Sequence, residues 1–342
     1  MNTALNRRIV LARRPDGAPG PEHFRRDDQP AGTLADGQFQ VRNQLLSIDP
    51  AQRGWLSAVA GYAEPVAPGE VMRSLAVGVV SASRAEHYPA GECLYGWFGW
   101  QDYCVADASQ VLVRVDPARG PLSTALGIYG ITGLTAHLAL HELGRPQIGE
   151  TVLVSTAAGA VGSIVGQLAR RGGCRVIGIT GSDDKAAQCV AEFGYAAALN
   201  YRAGLDPERL RKLCPQGVDV FFDNTSGEIA DAVWPLMNQR GRVVQCGTAA
   251  VAGWDPAPLA PRRERLVLTR RLRHEGFIIF DHLARFPDAI RELAGWAQQG
   301  ALVYREDIES GLDRAPAALA ALLRGENLGK KMVRICAGEQ AL

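Results

Sequence analysis

Short apolar runs separated by glycine, proline and aspartate dominate the chain from Arg7 to about Leu126. Runs of this length between turn residues are typical of β-strands. The clearest examples are QFQVRNQLLSI (38–48), RSLAVGVVSAS (73–83), QDYCVADA (101–108) and QVLVRV (110–115). They predict a compact, β-rich lobe.

The pattern changes near Gly127, where strand-like and helix-like segments begin to alternate. This alternation predicts a parallel sheet with helices on both faces. The strand candidates are TVLVST (151–156), RVIGIT (175–180), AALNY (197–201), VDVFFDN (218–224), GRVVQCG (241–247) and HEGFIIF (274–280). Six such strands make up a complete doubly wound dinucleotide-binding sheet.

The helices between these strands have residues at their ends that favour helix starts and stops. The predicted caps are Asp206 before Pro207, a capping box of Thr225 with Glu228, and the helix-ending glycines Gly172 and Gly194. We interpret all of these as structural features.

After about Gly300 the pattern predicts a strand, a helix and a closing strand, KMVRIC (331–336). A separate domain of this size would be marginally stable, so the closing strand is expected to join the first lobe. The predicted domains are a β-rich domain of residues 1–126 and 301–342 and an α/β domain of residues 127–300.

Composition narrows the function classes. Of 342 residues, 47% are apolar and 21% charged, and the formal net charge is +1, as in ordinary globular proteins. A balanced charge gives no electrostatic case for nucleic acid or an anionic membrane as partner. No apolar run is long enough to span a bilayer and no secretion signal is evident, so we expect a cytoplasmic location.

The seven cysteines contain no C-x-x-C pair. The sequence therefore indicates neither a disulfide framework nor a four-thiolate zinc site.

The strongest local motif is TVLVSTAAGAVGSIVGQLARRGG (151–173), a strand, a glycine-containing turn and a helix. Ala157, Gly159 and Gly162 occupy the three positions of the dinucleotide fingerprint. Such a turn lets backbone N–H groups contact a pyrophosphate at the start of a helix. The motif predicts a dinucleotide cofactor.

The end of the second α/β strand indicates which dinucleotide binds. Sites that prefer NAD usually place a carboxylate there, about 20 residues past the glycines. Here Gly181 leaves room for a 2′-phosphate, Ser182 follows, and Lys185 supplies a positive charge. One charge-assisted hydrogen bond contributes about 1.5 to 3 kcal/mol, or roughly a 10- to 100-fold preference for NADPH. We interpret Asp183 and Asp184 as first-turn residues of a helix that Ser182 caps.

These motifs resemble the zinc-free medium-chain reductases, which include prostaglandin and leukotriene reductases, plant double-bond reductases and bacterial curcumin reductase. The resemblance covers nearly the whole chain. It rests on DPAQRGWLS (49–57), PGEVMRSLAVGVV (68–80), GITGLTAHLAL (130–140), AAGAVGSIVGQLARRGGCRVIGITGSDDK (157–185), LNY (199–201), RLRHEGFIIFDHLARFPDAI (271–290) and YREDIESGLDRAPAALAALLRGENLGKKMV (304–333).

The resemblance implies a Rossmann domain that binds NADPH and a GroES-like catalytic lobe. It places Lys185 and Tyr201 on the 2′-phosphate, with Ser182 nearby. The remaining cofactor-binding residues that it implies are Gly159, Ala160, Val161 and Gly162 at the pyrophosphate, Thr135 near the nicotinamide half, Asn327 from the C-terminal lobe, and also Gly181, Cys246 and Phe277. Without the resemblance, Thr135 would be an ordinary helix residue and Asn327 a turn residue.

By the same resemblance the proton donor maps to Tyr62, because a phenol can hydrogen-bond a carbonyl oxygen that is becoming an enolate. A partly buried packing aromatic is the alternative. The family places a tyrosine after the fifth α/β strand, whereas this chain has GTAAVAGW (247–254). Trp254 is a candidate to fill the space left by that tyrosine.

Catalytic zinc requires a set of cysteine and histidine ligands from the first lobe. Cys93 and Cys104 do not form such a set, and His23 and His87 lack partners at suitable spacing. We therefore expect no metal, and hydride chemistry that relies on the cofactor.

The sequence predicts reduction of an α,β-unsaturated carbonyl compound by hydride transfer from NADPH to the β-carbon. The alternatives are an NADPH quinone reductase, a dedicated tailoring reductase for one natural product, and a nucleotide-binding protein without catalysis. HEGFIIF is a candidate edge strand, which favours a homodimer formed by strand pairing.

Overall fold

The computed structural model describes residues 4–59, 61–251, 256 and 258–335. The chain divides into a β-rich unit, residues 1–127 with 306–342, and an α/β unit, residues 128–305. Within the described residues, no helix is both long and apolar enough to cross a membrane.

The strands are β1 (Leu5–Leu11), β2 (Phe24–Pro30), β3 (Phe39–Ser47), β4 (Ala76–Ser83), β5 (Cys93–Gly96), β6 (Tyr103–Ala106), β7 (Val111–Arg114), β8 (Thr151–Ser155), β9 (Arg175–Thr180), β10 (Ala197–Asn200), β11 (Val218–Asp223), β12 (Met237–Gln245), β13 (Arg273–Gly276), β14 (Glu306–Ser310) and β15 (Lys330–Arg334). The α-helices are α1 (Ala51–Trp55), α2 (Ile131–Ala139), α3 (Gly162–Arg171), α4 (Asp183–Ala191), α5 (Pro207–Leu213), α6 (Gly227–Val233), α7 (Glu264–Arg270), α8 (Phe286–Gln298) and α9 (Ala315–Leu323).

The β-rich unit is built around β3, which pairs antiparallel with β4, β6 and β15. The sheet order is β14-β15-β3-β4-β5-β7, and β1 and β2 form a separate antiparallel pair. The closing strand β15 therefore joins the first lobe, as predicted. Phe39, Leu46, Phe98 and Trp100 are fully buried in the core beside this sheet.

A buried ion pair connects β15 to the segment that follows β3. The Lys330 ammonium donates to Asp49 at 2.5 Å, to the Ser47 hydroxyl at 2.6 Å and to the Ile48 carbonyl at 3.2 Å. Only 3% of the Lys330 side chain and 8% of the Asp49 side chain are exposed. Each buried charge thus has a partner, as burial requires.

The α/β unit holds a six-stranded sheet in the order β10-β9-β8-β11-β12-β13, in which every pairing is parallel. This is the doubly wound order, and it confirms the predicted fold class. All five residues of β8 are buried, as expected for a parallel strand covered on both faces.

Two sequence predictions in the α/β unit are wrong in detail. The strand predicted over residues 274–280 ends at Gly276, because a 3₁₀ turn over Ile279–Arg285 follows and buries Ile279. The predicted capping box does not form. Ser226 is the N-cap residue of α6, and the Thr225 hydroxyl donates instead to the Asp223 carboxylate at 3.1 Å.

The other predicted helix ends are confirmed. The Asp206 carboxylate accepts a hydrogen bond from the Glu208 N–H at 2.9 Å, with Pro207 as the first helical residue of α5. Gly172 ends α3. Gly194 follows α4 with a φ of +69°, a left-handed conformation that glycine adopts without strain.

Gly166, in the middle of α3, is required by close packing. A Cβ at this position would lie 2.1 Å from Cε2 of Tyr195, whose side chain is buried. We expect Gly166→Ala to lower the free energy of unfolding by about 1 to 3 kcal/mol through overpacking. The measurement is denaturant unfolding of the purified variant.

Gly295→Ala is the matched control, because Gly295 is also inside a helix, α8, but has open space around its Cβ position. Alanine there should raise the free energy of unfolding by about 0.5 to 1 kcal/mol. Equal effects of the two substitutions would contradict this account of α3 packing.

Candidate dinucleotide site

The carboxyl ends of the parallel strands meet at one edge of the six-stranded sheet. The strand order reverses between β8 and β11, and ligands of doubly wound sheets bind in the crevice at such a reversal. The turn after β8 and the turn after β11 lie on either side of this point. The predicted fingerprint occupies the first of these turns.

Glycine is required sterically in the turn after β8. A Cβ at Gly162 would lie 2.3 Å from the Thr156 carbonyl oxygen and 2.9 Å from Cα of Ala157. A Cβ at Gly159 would lie 2.9 Å from Cγ2 of Thr156, and Thr156 itself has a φ of +53°. The backbone is therefore packed as tightly as a phosphate-binding turn requires.

The turn brings Gly159, Ala160, Val161 and Gly162 together at the start of α3, as predicted. The first N–H groups of a helix have no intrahelical acceptor, and the helix dipole favours an anion there. Gly159, Ala160 and Val161 are partly exposed, so a ligand can reach this end of the helix. The backbone N–H donors at the start of α3, and the absence of side chains at Gly159 and Gly162, fit the pyrophosphate of a dinucleotide.

Sequence reasoning missed the residue that anchors this turn. The Tyr195 hydroxyl donates to the Gly162 carbonyl at 2.6 Å. Its ring occupies the space that Gly166 leaves free on α3. Full burial raises the pKa of Tyr195 well above its ordinary value, so the phenol stays a neutral donor. Glycine inside an otherwise regular helix was the only sequence signal for this contact.

The residues that follow β9 are those that the sequence predicts to lie at the 2′-phosphate, and they form the start of α4. Ser182 caps α4, its hydroxyl accepting from the Lys185 N–H at 3.3 Å, and Asp183 and Asp184 lie in the first turn. The structural interpretation of the two aspartates is therefore confirmed. Lys185 is half-buried one turn into α4.

Residues at the end of β10 converge on Gly181. A Cβ at Gly181 would lie 3.5 Å from Cε1 of Tyr201 and 3.6 Å from Nε of Arg202. The Arg202 guanidinium carbon lies 5.8 Å from the centre of the Tyr201 ring. The structure thus brings Gly181 and Tyr201 together, and it adds Arg202, which the sequence analysis did not identify. A basic residue directly after Tyr201 was the available signal.

The remaining predicted residues of the α/β unit lie on three other elements. Thr135 is half-buried on α2. Cys246 follows β12, and its N–H donates to the Asp223 carbonyl at 2.8 Å. Burial, aided by the negative charge of Asp223, raises the pKa of the Cys246 thiol, which is therefore no nucleophile at neutral pH. Phe277 is buried and stacks on His282, with ring centres 4.6 Å apart.

Tyr62 and Asn327 belong to the β-rich unit. The Tyr62 side chain is largely exposed, at 55%. Although more than half of the residue is exposed, desolvation of its hydroxyl is the largest effect and raises the pKa of Tyr62 above the ordinary value. Trp55 and the positive charge of Arg73 lower this pKa, and the negative charge of Asp49 raises it. The Asn327 amide donates to the Gly329 carbonyl at 2.7 Å, as a turn residue does.

Cys93 and Cys104 are buried cysteines of the β-rich unit. Burial raises the pKa of Cys93, and it raises that of Cys104 to about 11. The described residues contain no group of three or more histidine, cysteine, aspartate or glutamate side chains that could hold a metal. Trp254 lies outside the described residues.

Comparison with known proteins places these features in a family. Residues 7–113 match the model described as the N-terminal domain of oxidoreductase, and residues 160–295 match the model described as zinc-binding dehydrogenase. The chain is 38% identical to the NADPH-dependent curcumin reductase of Escherichia coli, over 96% of this chain and 97% of the relative. It is 35% identical to the NADP(+)-dependent 2-alkenal reductase of Nicotiana tabacum, over 86% of each chain.

Among solved structures, CurA of Vibrio vulnificus in complex with NADPH matches with a TM-score of 0.92 and 37% identity, over 97% of this chain and 100% of that chain. The agreement of sequence and fold covers both units. The chain therefore belongs to the medium-chain dehydrogenase/reductase family, in its branch of NADPH-dependent double-bond reductases.

Proposed function

We propose that this protein uses NADPH to reduce the carbon–carbon double bond of α,β-unsaturated carbonyl compounds. The observation that carries the proposal is the junction of β9 and β10, where Gly181 leaves space and Lys185, Tyr201 and Arg202 offer positive charge and a phenol. The curcumin reductase and the 2-alkenal reductase relatives support the reaction class.

Two parts of the α/β unit would hold the cofactor. Gly159, Ala160, Val161 and Gly162 would line the pyrophosphate, with N–H donors from Ala160 to Gly162, because the Gly159 N–H already donates to the Thr156 carbonyl at 2.9 Å. Lys185, Tyr201 and Arg202, with the Ser182 hydroxyl nearby, would bind the 2′-phosphate, because a doubly charged group in a partly buried site needs charged donors. Thr135 is proposed for the nicotinamide half, and Cys246, Phe277 and Asn327 are proposed as further residues that contact the cofactor.

Tyr62 would act on the substrate. When bound, NADPH supplies a hydride to the β-carbon, and the electron pair of the double bond shifts toward the carbonyl oxygen. The Tyr62 hydroxyl would donate to that oxygen as it becomes an enolate, and a proton delivered to the α-carbon would complete the reduction. Desolvation raises the pKa of Tyr62, so the phenol keeps its proton at neutral pH.

Lys185→Ala tests the cofactor site. The substitution removes one charge-assisted bond to the 2′-phosphate, so the KM for NADPH should rise about 10- to 100-fold. The KM for NADH should not change, since NADH lacks that phosphate. Steady-state kinetics with both coenzymes provide the measurement. Lys212→Ala, which removes an exposed lysine at the end of α5, is the control and should behave as wild type.

Tyr62→Phe tests the reaction. The wild-type protein should oxidise NADPH in the presence of enones, followed by the absorbance of the reduced nicotinamide. Loss of the positioned acid should lower kcat on enones by about 100-fold or more. Quinones need no such acid, so their turnover should be unaffected.

Tyr103→Phe provides the control, because Tyr103 is a half-buried tyrosine of β6 in the same unit. If Tyr62→Phe and Tyr103→Phe both retained wild-type kcat on enones, Tyr62 would be a packing residue. If wild type turned over quinones and no enone, the quinone reductase alternative would replace the proposed function.

We also propose a homodimer formed through β13, the edge strand of the six-stranded sheet. The Phe277 N–H donates to the Gln245 carbonyl of β12, so the N–H of Gly276, one residue earlier, points to the open edge. Unpaired donors on an exposed edge strand are a template for pairing with a second chain.

Sedimentation velocity at micromolar concentration should therefore show a dimer. Gly276→Pro removes one outward donor and should shift the protein toward monomer. Gly276→Ala, for which the Cβ has open space, should remain dimeric. A monomeric wild-type protein would rule out this assembly.

A further inference from the structure

Gln245 is the last residue of β12, and its side chain connects three segments at the carboxyl edge of the six-stranded sheet. Its amide nitrogen lies 2.6 Å from the Gly247 carbonyl oxygen, 3.1 Å from the Ser226 hydroxyl and 3.4 Å from the Asp223 carbonyl oxygen. Its amide oxygen lies 3.2 Å from Nε2 of His274 on β13. One half-buried glutamine therefore contacts the turn after β11, the segment after β12 and the edge strand.

The neighbours of this amide fix its orientation. A carbonyl oxygen can only accept a hydrogen bond, so the atom that faces the Gly247 and Asp223 carbonyls must be the NH₂ group. The two hydrogens of this group point to the nearest acceptors, the Gly247 carbonyl and the Ser226 hydroxyl. The amide oxygen then accepts from the His274 ring, whose Nε2 must carry a hydrogen. Both ends of the amide are in use, and the side chain cannot rotate without losing hydrogen bonds.

Ser226 is held in a conformation that serine avoids. Its φ of +57° and ψ of −152° lie in a region that is essentially restricted to glycine. Such strain persists only where surrounding contacts enforce it. The Ser226 N–H donates to the Asp223 carboxylate at 2.9 Å, and its hydroxyl accepts from Gln245. Gln245 thus helps to hold a strained turn at the carboxyl edge of the sheet.

The segments that Gln245 contacts belong to the second half of the dinucleotide-binding sheet. A doubly wound sheet consists of two mononucleotide-binding halves, one on each side of the point where the strand order reverses. The first half, β8 to β10, carries the proposed 2′-phosphate contacts, so the nicotinamide mononucleotide would bind over β11 to β13. Cys246, which we propose to contact the cofactor, directly follows Gln245. The Phe277 N–H donates to the Gln245 carbonyl at 3.0 Å.

We propose that Gln245 is a positioning residue that fixes the nicotinamide half of the cofactor site. Through Ser226 and Gly247 it holds together the turn after β11 and the segment after β12. Among the described residues, its side chain bonds only to β11, to β13 and to these two segments, so the 2′-phosphate contacts would not depend on it. Hydride transfer is sensitive to small displacements of the reacting atoms. Loss of Gln245 would therefore slow reduction as well as weaken binding. This inference rests on the proposed function, because it assumes that the sheet binds NADPH.

Gln245→Met tests the inference, because methionine is similar in length and has no N–H to donate. The dissociation constant for NADPH should rise about tenfold, the order of one neutral hydrogen bond. The dissociation constant for 2′,5′-ADP, which lacks the nicotinamide half, should not change. The kcat on enones should fall by a similar factor, about tenfold. Calorimetric titration with the two ligands and steady-state kinetics provide the measurements.

Gln167→Met is the matched control, because Gln167 is another bridging glutamine of the α/β unit. Its amide donates to the Ser163 carbonyl at 2.9 Å and to the Val303 carbonyl at 2.7 Å, and it accepts from the Val303 N–H at 2.8 Å. The substitution removes a comparable set of hydrogen bonds from α3, and none from the segments after β11 and β12. Both ligands should bind to this variant as they do to wild type.

Ser226→Ala removes the same hydrogen bond from the other side and gives a second test if Gln245→Met does not fold. Because the bond to Gly247 remains, the dissociation constant for NADPH should rise less, about threefold. Binding of 2′,5′-ADP should again be unchanged. In the Gln245→Met background, Ser226→Ala should cause no further loss, since the bond is already absent.

The two ligands distinguish a positioning role from a structural one. If Gln245→Met weakened NADPH and 2′,5′-ADP alike, or changed neither binding nor kcat, the inference would be overturned while enone reduction stood. Wild-type NADPH affinity in Ser226→Ala, or a full further loss in the double variant, would overturn it as well. Failure of the proposed function is a separate result, because wild type itself would then not bind 2′,5′-ADP or not reduce enones.

Discussion

The close approach of α3 to the strands beneath it is the constraint on which the nucleotide site depends. Glycine stands where the packing leaves no room for a side chain, at Gly162, Gly166 and Gly178. A Cβ at Gly178 would lie 2.8 Å from the Ala157 side chain. Tyr195 fills the space left by Gly166 and bonds the first turn of α3 through its hydroxyl. The same packing therefore builds the core and fixes the backbone at the start of α3, where we propose that the pyrophosphate binds.

The proposed recognition of the 2′-phosphate depends on parallel pairing. Because β9 and β10 run side by side, the residues that follow one strand meet the residues that follow the other. This juxtaposition brings Tyr201 and Arg202 against Gly181, although they lie 20 and 21 positions after it in the chain. A carboxylate in place of Gly181 would meet Arg202 and would also repel a 2′-phosphate. The absence of a side chain at Gly181 and the positive charge of the neighbouring Arg202 therefore belong to one arrangement.

Patterns that depend on local sequence were predictable, and contacts between distant segments were not. Strand positions and the glycine turn follow from periodicity and from sterics within a few residues. The spacing of Thr225 and Glu228 predicts a capping box. Spacing alone does not show that the Thr225 hydroxyl donates to the buried Asp223 carboxylate instead. Tyr195 and Arg202 were missed for a related reason. Each contacts a residue in a distant segment of the chain, which only the folded structure identifies.

The central claim is that the junction of β9 and β10 recognises a 2′-phosphate. Calorimetric titration of the wild-type protein with 2′,5′-ADP and with 5′-ADP isolates this contact from hydride chemistry and from the nicotinamide half. Binding of 2′,5′-ADP should be about 10- to 100-fold tighter, as one or more charge-assisted bonds to the extra phosphate require. Equal affinity for the two fragments would contradict the account.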